Sequence, residues 1–137
     1  ARASTQNLIP KNTTLVPALE EVVPSITPCL EAMSFRVPTT IVSAADVTLR
    51  LNHSTQIQEL YDLFQHKAIN SDNIFGFADR QQVSIDFSGT NQSVHVDPRW
   101  IRVSPENSVK LVLWYDNEWG YGNRVVDLVQ LIGSENH

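Results

Sequence analysis

Val109-Lys110-Leu111-Val112-Leu113-Trp114-Tyr115 runs without a break into Asp116-Asn117-Glu118-Trp119-Gly120-Tyr121-Gly122-Asn123-Arg124. The first seven residues are the longest strand candidate in the chain. From Trp114 onward, aromatic rings, carboxylates, amides and glycines crowd into one connection. Large aromatics in a loop either pack onto a core or stack against something planar, and the carboxamide of Asn117 between them both donates and accepts hydrogen bonds. That combination suits a nucleobase or a nicotinamide. The same residues also read as structure, with Trp114 and Trp119 as core anchors, Asp116 as a helix cap, and Gly120 and Gly122 as turn residues.

Beyond the run, residues 124–132 read as a closing helix, apolar at Val125, Val126, Leu128, Val129 and Ile132 and ended by Gly133. Before it, short apolar runs at residues 74–77, 83–87, 94–96 and 101–103 are separated by turn-like Asp79-Arg80, Ser88-Gly89-Thr90 and Pro105-Glu106-Asn107. They predict neighbouring, mostly antiparallel strands. Upstream, Val47, Leu49 and Leu51 alternate with Thr48 and Arg50 in a strand over residues 45–51. Thr55-Gln56-Ile57-Gln58 offers a capping box for a helix whose apolar residues Ile57, Leu60, Tyr61, Phe64 and Ala68 share a face. That helix should cover one side of a sheet. The pattern predicts an α+β fold, a mostly antiparallel mixed sheet with helices on one face. No G-x-G-x-x-G occurs, so the chain carries no dinucleotide-binding βαβ unit of its own.

In the first third, Thr13 or Thr14 can cap a short helix over residues 15–23, with Pro17 tolerated in its first turn and Pro24 ending it. Orphan backbone N–H groups at a helix N-terminus favour an anion, and a threonine hydroxyl adds a donor, which makes Thr13 a candidate phosphate contact. A strand over residues 32–37 ends with Arg36, before Pro38 and beside Thr39 and Thr40. A guanidinium on a rigid element can grip a phosphate with two parallel hydrogen bonds. The competing reading of Arg36 is an ion pair with an aspartate. Cys29 lies in a proline-punctuated connection with no neighbouring base to activate it, which makes it an ordinary structural or surface cysteine.

A chain of 137 residues with 42% hydrophobic residues fits one domain with an ordinary core. The net charge of −5, from 10 basic and 15 acidic residues with no basic cluster, excludes a nucleic-acid footprint. No apolar stretch approaches the roughly 20 residues of a membrane span, the longest candidates being broken by Pro24, Pro28 and Pro38, so a membrane span is not expected. One cysteine excludes an internal disulfide and agrees with a cytoplasmic setting. The N-terminus Ala1-Arg2-Ala3-Ser4-Thr5 lacks an initiator methionine and a hydrophobic signal segment, so the chain is expected to be a piece of a longer protein.

Three stretches, in order along the chain, resemble the glyceraldehyde-3-phosphate dehydrogenase family, which includes the erythrose-4-phosphate dehydrogenases: Gln6-Asn7-Leu8-Ile9-Pro10 with Asn12-Thr13, Phe35-Arg36-Val37-Pro38-Thr39, and the run from Trp114 to Arg124. The resemblance implies a C-terminal catalytic domain over residues 1–137, with a closing helix in residues 121–137 and the N-terminal NAD-binding domain absent. It implies that Arg36, helped by Thr13, binds substrate phosphate. It assigns the nicotinamide carboxamide to Asn117 and a wall of the nicotinamide ring to Tyr121, with NAD as cofactor. A sugar-phosphate substrate, a homotetramer and a cytoplasmic location follow from the same resemblance, with neither nucleic acid nor membrane as partner. Glu118 is expected to hold the loop and Asp116 to cap or pair. In the family a cysteine thiolate attacks the aldehyde, a histidine takes the proton and hydride passes to NAD. No cysteine–histidine pair here stands in that setting, so the chain alone is expected to be inactive, and His53, His66, His95 and His137 read as surface or packing residues.

Thr14 stands where most of these enzymes carry glycine, and Ser4-Thr5-Gln6 and Ile101-Arg102-Val103-Ser104 look closer to the erythrose-4-phosphate dehydrogenases. The expected reaction is therefore oxidation of D-erythrose 4-phosphate to 4-phosphoerythronate, with glyceraldehyde 3-phosphate as the alternative substrate. A different class of reading is a non-catalytic oligomerisation module that associates through a sheet face bearing Val47, Leu49, Val83 and Ile85, or a sugar-phosphate sensor.

Overall fold

In the computed structural model, which describes residues 4–134, the chain divides into two compact units, residues 1–40 and 41–137. The first unit is built on a two-stranded antiparallel ribbon, β1 (Ile9–Lys11) with β2 (Ser34–Arg36), in which Ile9 faces Arg36 and Lys11 faces Ser34. The Ser34 hydroxyl donates to the Lys11 carbonyl at 2.9 Å. Between the strands lies α1 (Leu15–Val22). Pro17 sits in its first turn, where its missing N–H has no intrahelical partner to lose, and the helix closes when Val23 N–H donates to Leu19 O just before Pro24. None of the residues of α1 is buried.

The second unit holds a five-stranded sheet in the order β3-β7-β5-β4, with β6 also on β7. The strands are β3 (Ser43–Arg50), β4 (Phe75–Phe77), β5 (Val94–Val96), β6 (Arg102–Val103) and β7 (Ser108–Tyr115). All pairings are antiparallel except β4 with β5. The sheet is the mixed, mostly antiparallel one the sequence predicts. β7 is central because its alternation serves two faces: Val109, Leu111 and Leu113 point into one core, and Trp114 into the other.

The first face is covered by α2 (Ile57–Ile69), whose Leu60 and Phe64 pack on Val96, Ile101, Val109 and Leu111. Tyr61 and Phe64 lie on Phe77 and Phe75, with ring centroids 4.9 and 6.0 Å apart. The capping works one residue later than the sequence suggested. Glu59 reaches back to the Gln56 N–H at 2.9 Å, and the Thr55 hydroxyl donates to the same carboxylate at 2.7 Å.

Three expectations are corrected. Residues 83–87 are not a strand, because Asp86 accepts the Val83 N–H at 2.8 Å and winds Ser84–Phe87 into a 3-10 turn. Of the alternating apolar residues only Phe87 is buried, while Val83 and Ile85 stay 62% and 63% exposed. The proposed association face also dissolves: Val47 packs into the α2 core, and Val83 and Ile85 lie outside the sheet. The closing helix, α3 (Trp119–Ser134), starts earlier than expected and runs through Gly133. Trp119, Gly120, Tyr121 and Gly122 therefore form its opening turns rather than a loop.

Candidate functional site

β7 ends at Tyr115 and α3 begins at Trp119, so Asp116, Asn117 and Glu118 form the junction. Asp116 is 1% exposed. Its Oδ1 accepts the N–H groups of Glu118 and Trp119 at 3.1 and 2.9 Å, and its Oδ2 accepts the N–H of Gly89 at 2.9 Å. The Gly89 amide foremost, then that of Trp119, hold the carboxyl below the usual carboxylate range; burial opposes them and the Glu118 amide adds to them. The expected cap is thus present, and it satisfies amides that enter α3. Asn117 is exposed, its Oδ1 3.4 Å from the donating hydroxyl of Ser43 at the start of β3. Tyr121, four residues on, is 72% exposed in the first turns of α3. The structure thus brings Asn117 and Tyr121 to the same end of one helix. Glu118 contributes its carbonyl to Gly122 N–H at 3.0 Å.

Beneath the junction lies an aromatic layer. Trp114 stacks on Phe87 at 5.6 Å, and Phe87 meets the His95 ring at 5.0 Å. Trp114 Nε1 donates to Asp97 at 3.1 Å, and the buried Asp97 also accepts from Arg99 Nε at 2.8 Å. Burial would raise the pKa of Asp97, but the Arg99 and Trp114 hydrogen bonds together outweigh it and hold the carboxyl low. Val42, just before Ser43, has φ 68° although it is β-branched and buried. Such a conformation costs about 1–3 kcal/mol and persists only where surrounding packing enforces it.

In the first unit, Arg36 is exposed and forms no ion pair among the described residues. The competing aspartate pair is therefore absent there. Thr13 is half-buried, and its hydroxyl accepts the Leu15 N–H at 3.1 Å at the start of α1. The ribbon places the two apart. Arg36 faces Ile9, whereas Thr13 lies beyond Lys11 at the opposite end of β1. Thr14 has φ −90°, an ordinary conformation for threonine, so its difference from glycine bears only on how closely a ligand could approach the backbone.

The family model described as glyceraldehyde 3-phosphate dehydrogenase, C-terminal domain, matches residues 1–117. The chain belongs to the glyceraldehyde 3-phosphate dehydrogenase family. It is 41% identical to glyceraldehyde-3-phosphate dehydrogenase 3, cytosolic, of Zea mays over 97% of this chain and 40% of that protein. To the cytosolic enzyme of Sinapis alba it is 40% identical, over 93% of this chain and 38% of that one. Glyceraldehyde-3-phosphate dehydrogenase 2 of Staphylococcus epidermidis is 35% identical, over 97% and 38%. The chain thus spans about two-fifths of the length of the relatives it matches.

For this member of the glyceraldehyde 3-phosphate dehydrogenase family the remaining candidates resolve simply. Cys29 is exposed and free. His53 and His66 are exposed, His95 is a buried packing residue, and His137 lies outside the described residues. No metal-holding cluster of histidine, cysteine, aspartate or glutamate occurs among the described residues, and no helix there is long and apolar enough to cross a membrane. Sequence reasoning passed over Gly89, Ser43 and Asp97. Ser88-Gly89-Thr90 reads as a turn, but nothing local says that the Gly89 amide reaches a carboxylate 27 residues later.

Proposed function

We propose that the protein carrying this chain is an NAD-dependent aldose-phosphate dehydrogenase, in which this chain supplies the substrate-phosphate grip and one side of the nicotinamide site. The observation that carries the reading is the exposed carboxamide of Asn117, set on the buried Asp116 between β7 and α3. Its Nδ2 has no partner among the described residues, and Tyr121 offers an open ring one helical turn away. An amide and an aromatic ring so placed fit a planar ring that bears a carboxamide. Bound NAD would accept the hydride of the aldehyde carbon. Asn117 would select the ring face presented and Tyr121 would keep water from it. Arg36, exposed and without an ion pair among the described residues, suits a phosphate dianion, and the Thr13 hydroxyl, beyond the other end of β1, suits a phosphate contact of its own. A cytoplasmic homotetramer is the assembly proposed.

The names of the relatives favour glyceraldehyde 3-phosphate as substrate. Thr14 favours the second reading, erythrose 4-phosphate, because its side chain crowds the backbone where a further phosphate would approach. Kinetics of Arg36→Ala in the full-length protein test the assignment. KM for the aldose phosphate should rise about ten- to a hundredfold, the loss of a charge-assisted contact, while NAD affinity holds. An unchanged aldose-phosphate KM would remove Arg36 from the site.

A further inference from the structure

Asn117 is bracketed by one carboxylate. Asp116 precedes it, the amides of Glu118 and Trp119 follow it, and both amides donate to Asp116 Oδ1 at 3.1 and 2.9 Å. The second oxygen leaves the junction altogether and takes the Gly89 N–H at 2.9 Å. Gly89 belongs to a turn fixed from its other side: Thr90 Oγ1 donates to Phe87 O at 2.8 Å, and Phe87 is 1% exposed and stacked on Trp114. Gly89 has φ 71°, a left-handed conformation that aims its N–H at Asp116, and a Cβ there would meet nothing within 4 Å. A buried carboxylate that precedes one exposed residue, accepts the two backbone amides that follow it and is itself tied to a remote turn holds that residue's backbone more tightly than a helix cap alone requires.

We propose that Asp116 is the positioning residue of the cofactor site and that the Gly89 turn is its brace. It touches no ligand. It sets where the Asn117 carboxamide stands, and the Gly89 amide sets where Asp116 stands. This rests on the reading of Asn117 as the nicotinamide contact.

The geometry of Gly89 supplies a test that leaves Asp116 in place. A Cβ at position 89 meets nothing within 4 Å, but valine strongly disfavours positive φ, so Gly89→Val withdraws the amide, whereas asparagine tolerates that conformation. The dissociation constant for NAD is measured by calorimetry in the full-length protein for Gly89→Val, Gly89→Asn, Asp116→Asn and Asn117→Ala, with thermal midpoints to confirm folding. Gly89→Val should weaken NAD binding about threefold and Asp116→Asn about tenfold, with Gly89→Asn close to the unaltered protein. In the Asn117→Ala background neither Gly89→Val nor Asp116→Asn should weaken binding further, because the group they position is gone. Additive losses in that background would reduce Asp116 to a structural cap and overturn the proposal while leaving the Asn117 contact standing. NAD binding unchanged by Asn117→Ala alone would overturn the contact itself, and the positioning role with it.

Discussion

The imidazole of His95 is 9% exposed, lies against Phe87, and its Nδ1 has no hydrogen-bond partner among the described residues. Burial disfavours its charged form and lowers its pKa below the ordinary 6.5. The sign follows: the unfolded chain binds the proton more readily, so the stability owed to neutral His95 is full above about pH 6.5 and is lost as pH falls toward the folded-state pKa. Denaturant midpoints at pH 7.5 and 5.5 should therefore diverge more in the unaltered chain than in His95→Val, and equal divergence would count against a buried neutral imidazole. Asp97 offers a second case. Asp97→Ala strips Arg99 and the Trp114 indole of their acceptor and should cost about 2–4 kcal/mol, with a shift in Trp114 fluorescence. At this scale the sequence spoke through residue type: Asp116 as a cap and His95 as a packing residue were legible. The Trp114 partner of Asp97 was not, because strand register across the sheet brings the two together, and the Gly89 amide on Asp116 was not, because the two residues stand 27 apart in the chain.

Among the elements, β4 and β5 pair in parallel with Gly76 opposite His95. A Cβ on Gly76 would stand 2.2 Å from His95 Cδ2, so the glycine is there to let the imidazole lie across the strand. Gly76→Ala should cost about 1–3 kcal/mol by overpacking, and pairing it with His95→Ala should recover part of that loss in the same denaturation assay. The long strand, the amphipathic α2 and the short α1 were legible from periodicity and punctuation. Residues 83–87 were not: Val83, Ile85 and Phe87 alternate as a strand does, but Asp86 closes a local turn before any neighbour can pair. The start of α3 was missed because two glycines look like loop, whereas Asp116 supplies the acceptor that lets the helix begin through them. Gly120 is also the residue of least bulk where a Cβ would come 3.1 Å from Gln92 O.

For the whole molecule, the family model ends at residue 117, just before α3, whose Val125, Val126, Leu128, Val129, Leu131 and Ile132 are 42–64% exposed. The chain by itself should self-associate through these residues, so sedimentation should depend on concentration and Leu128→Lys should weaken that dependence. A strict monomer at high concentration would contradict the expectation. The family was legible in the sequence from its three ordered stretches; the substrate was not, because Thr14, whose φ of −90° is ordinary for threonine, bears only on how closely a ligand could approach the backbone. The most direct test of the central claim is turnover by the full-length protein with NAD and each aldose phosphate, glyceraldehyde 3-phosphate and erythrose 4-phosphate, with and without inorganic phosphate, and with Arg36→Ala alongside. NAD reduction with one of the two that collapses in Arg36→Ala is the expected result, and its phosphate dependence names the reaction. No NAD reduction with either, or activity indifferent to Arg36, would contradict the account.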